Sequence, residues 1–386
     1  MAVLRGVLDG REAPLVPIPA DDPRASQRLI SALRIGGEIS DDIALVLPTS
    51  GTTGAPKGAM LTPAALIASA SACHDRLGGP GTWLLGLPAY HVAGIQVLVR
   101  SLLAGTVPVE LDISHGFDLT ELPRAIEEMG SGRRYTALVV NQLAKALTDP
   151  DATASLAELD AVLIGGGPAP RPVLDAALGA GIAVVRSYGS SETAGGCVYD
   201  GLPLDGVKVR INTPADTPAD TPADTPADGS DGADGIGGIV IGGPTLAVGY
   251  RNPPDPDPFG EPGWFRTDDV GRFDHSGRLV VLGRTDEAIS TGGLTVMPGP
   301  VEAVLMRHPA VAECAVFGVA DDRLGERVVA AVVAAPGAAP VLAELREFIA
   351  QSLDATAAPR QLHLVAELPR HGIGKLDRRT LRERFG

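Results

Sequence analysis

Lysine is nearly missing from this 386-residue sequence: of the 32 Lys and Arg residues only four are lysine, at positions 57, 145, 208 and 375. Genomic base composition accounts for the general preference, so each surviving lysine invites inspection. Cysteine is almost as scarce. Cys73, Cys197 and Cys314 are odd in number and widely spaced, with no Cys-x-x-Cys pair or Cys/His cluster. That excludes a disulfide framework and a zinc site, and fits a reducing cytoplasm. Long apolar runs are missing too. The most apolar stretch, 328–343, is broken by Pro336, Gly337 and Pro340, so it reads as a buried strand followed by a turn and not as a membrane span. The first 20 residues carry Arg5, Asp9, Arg11, Glu12 and three prolines, so no export or anchoring signal is expected there. Positive charge is the last shortage: 47 acidic residues leave a formal net charge of −15. A field of that sign repels phosphate backbones and anionic membranes, so nucleic acid is not an expected partner.

What is present is ordinary globular material, 45% hydrophobic and 20% charged, in a chain long enough for two or three domains. Short apolar runs at 43–47, 83–87, 137–140, 161–164 and 182–185 read as buried strands. Helix-compatible stretches at 63–72, 119–128, 142–147 and 171–178 alternate with them, which predicts an α/β fold with doubly wound layers over the first 200 residues. After Asp205 alternating residues such as Val207, Val209 and Ile211 suggest a small antiparallel β-subdomain. It is interrupted by Thr-Pro-Ala-Asp repeated four times from Thr213, then a Gly/Asp-rich stretch to Gly235, which has nothing large to bury and is expected to be a disordered insertion. From Arg284 onward a compact α+β module is expected: helices at 301–307 and 343–351, strands at 311–319 and 328–334, and a Gly-rich tail at 372–375. The expected organisation is a large N-terminal domain, 1–285, followed by a small mobile C-terminal domain, 286–386.

The first constellation with chemistry in it is Thr49-Ser50-Gly51-Thr52-Thr53-Gly54-Ala55-Pro56-Lys57-Gly58. Glycines let backbone N–H groups approach anionic oxygens, hydroxyls add donors and Lys57 supplies a point charge, so the segment suits a polyphosphate. It is not a Walker A loop, because Pro56 and Gly58 stand where that pattern needs Gly and Ser or Thr. The segment resembles the phosphate-binding signature of the adenylate-forming superfamily, which includes acyl-CoA synthetases, luciferases and peptide-synthetase adenylation domains. Further motifs follow in that family's order. Gly165-Gly166-Gly167-Pro168 is similar to its adenine-binding turn. Tyr188-Gly189-Ser190-Ser191-Glu192-Thr193 is similar to its Tyr-Gly-x-Thr-Glu motif, with Ser191 in place of the commoner Thr. The resemblance implies that the Tyr188 ring packs on adenine, the Ser191 hydroxyl contacts the α-phosphate and Glu192 binds magnesium.

Trp264-Phe265-Arg266-Thr267-Asp268-Asp269 resembles the family's ribose motif, which makes Asp269 the ribose ligand; Asp268 stands where glycine is usual. Gly283-Arg284-Thr285-Asp286 matches its hinge, where Arg284 also reaches the ribose and Asp286 is the pivot. Gly372-Ile373-Gly374-Lys375 looks like its C-terminal catalytic loop, with Lys375 as the residue that meets the carboxylate and the α-phosphate. The resemblance runs from about Ile43 to Leu381. Fewer residues precede the phosphate loop than in most relatives, so part of the usual first subdomain is expected to be missing.

The family's chemistry implies ATP and Mg²⁺, then CoA as co-substrate. A carboxylate attacks the ATP α-phosphate to give an acyl adenylate and pyrophosphate, and a thiol then displaces AMP as the C-terminal module turns about Asp286. Local sequence around Leu87-Pro88-Ala89-Tyr90-His91, Gly195-Gly196-Cys197 and Ile289-Ser290-Thr291 is most similar to o-succinylbenzoate-CoA ligases of menaquinone biosynthesis, of the compact actinobacterial type. In that reading His91 is a donor to the substrate carboxylate or a gate, and Gly195 and Gly196 admit a bulky aryl acid to the backbone. Cys197 reads as a small pocket-wall residue and not as a nucleophile, since no base lies beside it in sequence. Another aryl- or acyl-CoA ligase and a catalytically degenerate nucleotide-binding member are the alternatives. A peptide-synthetase module is disfavoured, as no carrier domain follows, and a homo-oligomer is compatible with the sequence.

Overall fold

The computed structural model describes residues 1–49, 56–213, 235–371 and 375–386. The expected alternation of strand and helix is realised as a seven-stranded sheet. In spatial order it runs Val109–Glu110, Thr82–Leu85, Arg134–Val139, Ala161–Gly165, Val184–Ser190, Gly195–Tyr199 and Leu202–Pro203. The first five strands are mutually parallel and the last two turn antiparallel. Strands covered on both faces read as continuous apolar runs, and Ala161–Gly165 is accordingly buried at its first four positions.

The helix Pro63–Arg76 begins where Thr62 accepts a hydrogen bond from the Ala65 N–H at 3.1 Å, with proline in the first turn. The helix Val92–Ala104 ends at Gly105, whose φ of +69° suits a residue without a Cβ. This helix was not expected from the sequence, nor were the N-terminal helices Ala2–Leu8 and Pro23–Ala32. The strand expected at 182–185 instead runs Val184–Ser190, because the polar residues Ser187 to Ser190 pair with Gly195–Tyr199 and so extend the ladder beyond the apolar run.

A smaller antiparallel sheet joins Leu45–Thr49, Lys57–Leu61 and Gly249–Tyr250. Its apolar face contributes Leu45, Leu47, Ala59, Leu61 and Tyr250 to a core that also holds Leu66, Ile95, Val99 and Phe265. The β-subdomain expected after Asp205 is present as Lys208–Asn212, Gly237–Gly242, Trp264–Phe273 and Leu279–Arg284, neighbours in that order. The expectation of a disordered Thr-Pro-Ala-Asp insertion falls on 214–234, outside the described residues.

Toward the C-terminus a sheet runs Leu294–Val296, Ile289–Thr291, Gly325–Ala334, Val311–Asp321, with Gln361–Leu364 paired in parallel to Gly325–Ala334. The helices Pro298–Leu305 and Leu342–Ala350 bury Val301, Val304, Leu305, Leu345 and Ile349 against it. Two compact units emerge: Met1–Gly166 with Ala176–Arg210 and Val240–Thr267, and Gly167–Asp175 with Ile211–Ile239 and Asp268–Gly386. Among the described residues no helix is long and apolar enough to cross a membrane.

Candidate active site

In the first unit, Thr49 and Lys57 flank the candidate phosphate loop and face each other across the antiparallel pair. Ser50, Gly51, Thr52, Thr53 and Gly54, assigned to phosphate from the sequence, lie outside the described residues. The backbone around Lys57 is held by one amide: Asn252 accepts from the Gly58 N–H at 3.1 Å and donates to the Pro56 carbonyl at 2.8 Å. Tyr250 sits opposite Ala59, two residues from Lys57 on the same face of the sheet. That diagonal relation brings its ring under the lysine, with Nζ 5.2 Å from the ring centroid.

Glu192 lies on the single turn Ser191–Thr193 that follows the strand Val184–Ser190. The turn is closed by Thr193, whose hydroxyl accepts from the Ser190 N–H at 2.9 Å and donates to the Gly195 carbonyl at 2.7 Å. The next residue, Ala194, takes a left-handed conformation, and its carbonyl is held by Ser69 Oγ at 2.9 Å and Gln96 Nε2 at 2.7 Å. Glu192 itself is buried at 7% exposure, and its Oε1 accepts a 2.6 Å hydrogen bond from the Tyr250 hydroxyl. Lys57 and Glu192, chosen separately from the sequence, thus meet on the two sides of one tyrosine that the sequence did not single out. The signal for it lay in three dimensions, since Gly249-Tyr250 forms a strand of two residues.

Magnesium was expected at Glu192, and the donor set fits it. Among the described residues no group of three or more His, Cys, Asp or Glu side chains could hold a metal. Mg²⁺ characteristically takes one or two carboxylates and completes its shell with substrate phosphates and water, so a lone buried carboxylate near a phosphate loop is the appropriate protein share.

Of the remaining nucleotide positions in this unit, Tyr188 is half-buried on its strand, Gly189 is exposed, and Ser190 and Ser191 are half-buried at the turn. Gly165 and Gly166 end the strand Ala161–Gly165, and Gly166 has φ +80°. Gly167 and Pro168, exposed, open the stretch that belongs to the second unit. His91 precedes the helix Val92–Ala104 without capping it, is half-buried, and packs on Tyr90 with centroids 4.6 Å apart. The structure adds a reason for one of the glycines assigned to the acid. A Cβ on Gly196 would fall 1.9 Å from Ser187 Oγ and 2.9 Å from the Tyr199 ring, so packing within the protein already demands glycine there. Cys197 is fully buried, and burial pushes its thiol up to about 12, which keeps it protonated and unreactive as expected.

A buried cation also lies in this unit. Arg100, on the helix Val92–Ala104, is 3% exposed, with its guanidinium 4.8 Å from the Trp83 ring and Nη2 3.5 Å from the Tyr199 hydroxyl. Its Nε has no hydrogen-bond partner among the described residues, and the same holds for Trp83 Nε1 and His74 Nε2 nearby. Among the described residues, what surrounds it is an indole, a phenol and the Cys73 thiol, with no carboxylate. An arginine inside a 13-residue apolar helix was the sequence signal that could have found it.

In the second unit, Asp269 and Arg284 are directly paired in the ladder between their strands. Arg284 Nη2 donates to Asp268 at 3.1 Å and Nε donates to Asp286 at 2.9 Å. Burial works against its charge, but the carboxylates of Asp286, Asp268 and Asp269 outweigh that and hold the guanidinium well above its ordinary range. The unusual Asp268 therefore has a partner, and the two expected ribose residues are neighbours. Asp286 follows on the turn Thr285–Glu287. Lys375 pairs through its backbone with His371, and the hairpin stem is closed by the Asp377 N–H on the Pro369 carbonyl at 2.9 Å. Residues 372–374 of the expected catalytic loop lie outside the described residues. Three residues after Lys375, Arg378 bonds both oxygens of Glu302 at 2.8 and 2.9 Å, Glu287 at 2.9 Å and the Val316 carbonyl at 3.2 Å. Glu287 is the residue after the expected pivot.

Comparison with known proteins gives the chain a family. A model of the family described as AMP-binding enzyme matches residues 18–251, and one of the AMP-binding enzyme C-terminal domain matches residues 300–375. The chain is similar to a probable 2-succinylbenzoate–CoA ligase of Mycobacterium tuberculosis, 62% identical over 388 residues that cover 100% of this chain and 94% of that protein. Among solved structures it resembles o-succinylbenzoate CoA synthetase of Bacillus subtilis in complex with its acyl-adenylate intermediate. The TM-score is 0.72 at 29% identity, over 88% of this chain and 69% of that one. The same enzyme with ATP and magnesium ion gives a TM-score of 0.71 at 28% identity, over 90% and 71%.

Proposed function

Since the chain belongs to the AMP-binding enzyme family, we propose that it joins o-succinylbenzoate to CoA at the expense of ATP, releasing AMP and pyrophosphate, in menaquinone biosynthesis. The observation that carries the choice of acid is the likeness, along the entire chain, to a 2-succinylbenzoate–CoA ligase. In the first half-reaction a carboxylate oxygen of the acid attacks the α-phosphorus of ATP and pyrophosphate leaves. In the second, the CoA sulfur attacks the acyl carbon and AMP leaves with the carboxylate oxygen. A site for such chemistry is a positioning and charge-screening device that needs no nucleophile of its own.

The residues divide that work. Lys57 and the loop before it bind the polyphosphate, with Asn252 fixing the backbone on both sides of the lysine. Glu192 holds Mg²⁺, which when bound screens the phosphate charge against the incoming carboxylate. Tyr188 and the Gly165–Gly166 turn receive the adenine. Asp269, an acceptor, and Arg284, a donor, are the ribose pair. Lys375 meets the attacking carboxylate and the α-phosphate in the first half-reaction, and Asp286 is the pivot by which the domain 286–386 withdraws it before the second. An enzyme that consumes ATP and CoA works where both are made, which supports the cytoplasmic placement.

We assign Arg100 to the second carboxylate of the acid. Val92, Gln96 and Arg100 share one helix face, and a Cβ on Gly195 would lie 3.7 Å from Val92 and 3.2 Å from Gln96. Tyr199, at the other end of the strand Gly195–Tyr199, is the phenol beside Arg100. Helix and strand therefore run alongside one another for about 12 Å from Val92 to Arg100, in line with the end of the strand that carries Gly195 and Gly196. A buried guanidinium without an acid of its own is poorly compensated until an anionic group arrives.

The test is product analysis with ATP, Mg²⁺, CoA and o-succinylbenzoate, in parallel with benzoate and a medium-chain fatty acid. AMP, pyrophosphate and a thioester are expected with o-succinylbenzoate, with turnover of benzoate and of the fatty acid far slower. Turnover of benzoate or the fatty acid at a comparable rate would keep the chemistry and reject the substrate.

A further inference from the structure

Tyr250 belongs to none of the motifs that the function absorbs, yet it touches two of the charged groups assigned to the nucleotide. Its hydroxyl donates to Glu192 Oε1 at 2.6 Å, and its ring lies under Lys57 Nζ at 5.2 Å. The ring is itself fixed. It is 7% exposed, pairs in the ladder opposite Ala59, and packs edge-on against Phe259 at 5.3 Å, which stacks on Phe265 at 4.8 Å. The chain just before it is tied to the other partner, since the Ala247 N–H donates to the Glu192 carbonyl at 2.8 Å.

We infer that Tyr250 is a positioning residue that orients the Glu192 carboxylate for Mg²⁺ and holds Lys57 over its ring, so that metal and phosphate loop are set by one side chain. The inference rests on the reading of Glu192 as the metal ligand. Its physical content is that the two contacts are separable. The hydroxyl acts on the carboxylate and therefore on the metal; the ring acts on the ammonium and therefore on phosphate with or without metal. A merely structural tyrosine would affect both alike.

Tyr250→Phe keeps the ring and removes the donor. ATP binding measured by calorimetry in EDTA should be unchanged, while the Mg²⁺ concentration that half-saturates the enhancement of binding should rise about tenfold, the size of one hydrogen bond to a charged group. The KM for the acid and transfer from supplied acyl adenylate to CoA should stay as in the parent. Tyr250→Leu removes both contacts and should weaken ATP binding in EDTA as well. Glu192→Gln separates the two levels of the argument. If it shifts the Mg²⁺ dependence and Tyr250→Phe does not, the role of Tyr250 is overturned and that of Glu192 stands. If Glu192→Gln leaves the Mg²⁺ dependence alone, the metal assignment fails and takes this inference with it. An equal loss of affinity with and without Mg²⁺ in Tyr250→Phe would make the tyrosine structural. In the double variant the two effects should not add, because both remove the same contact.

Discussion

Two arginines, one in each unit, one buried and one largely so, are compensated by different groups. Arg378 has a side chain 12% exposed, and its guanidinium is met by two carboxylates and a carbonyl. Burial disfavours its charge, but Glu302 and Glu287 outweigh that and hold it protonated above its ordinary range. Arg100 is more deeply buried, and it is met by an indole face and a phenol at 3.5 Å. Burying a charge costs several kcal/mol, on the order of the whole stability margin of a domain, unless a partner compensates it. Where carboxylates supply that partner the arginine is a fastener; where a phenol and a thiol do, it is, as proposed above, reserved for an anionic group of the substrate. Arg378 fastens the segment after Lys375 to Glu287 and to the helix Pro298–Leu305.

The largest effect that sharpens this contrast belongs to the chemistry near Arg378. Lys375→Ala should lower acyl-adenylate formation by on the order of a hundredfold or more, while thioester formation from supplied acyl adenylate stays largely intact. Equal loss in both half-reactions would contradict a lysine that acts in the first alone. Next comes Arg378→Ala, which leaves Glu302 and Glu287 facing each other without their cation. It should destabilise the C-terminal unit by about 3–5 kcal/mol, the cost of breaking a buried pair, read as a lower midpoint in urea. Arg100→Met removes a charge that no carboxylate among the described residues balances, so its stability should change far less or rise. Comparable losses in the two variants would erase the distinction.

The smallest effect comes from the neighbour of Arg100. His74 is 6% exposed, and burial, then the Arg100 charge, hold its imidazole below the ordinary value of 6.5. The unfolded chain therefore binds a proton that the folded chain refuses as pH falls below 6.5, so stability is full above that pH and declines beneath it. Thermal midpoints between pH 7.5 and 5.5 should fall less steeply in Arg100→Met, where the cation that opposes protonation is gone. Identical slopes would show that Arg100 does not act on His74.

Much of this was legible in the sequence. The strands after the candidate phosphate loop announced themselves as apolar runs, and the motif residues Lys57, Glu192, Asp269, Arg284 and Asp286 all stand on strands or on turns. What escaped is physically specific. The helix Val92–Ala104 is buried on so many sides that its apolar residues show no single stripe, and Arg100 was hidden with it. Tyr250 occupies a two-residue strand whose partner lies almost 200 residues earlier, a pairing that no local pattern encodes. Asp268 stood out as a charge where glycine is usual, and the structure supplies its partner in Arg284, 16 residues away.

The most direct test of the account is the ratio of kcat/KM for o-succinylbenzoate over benzoate, compared between the parent and Arg100→Met with CoA and MgATP saturating. If Arg100 receives the second carboxylate, the ratio should fall by about tenfold or more, the value of one charge-assisted contact, through KM for o-succinylbenzoate, with the KM for ATP unchanged. An unaltered ratio in a folded Arg100→Met enzyme would contradict the assignment and return Arg100 to the framework of the fold.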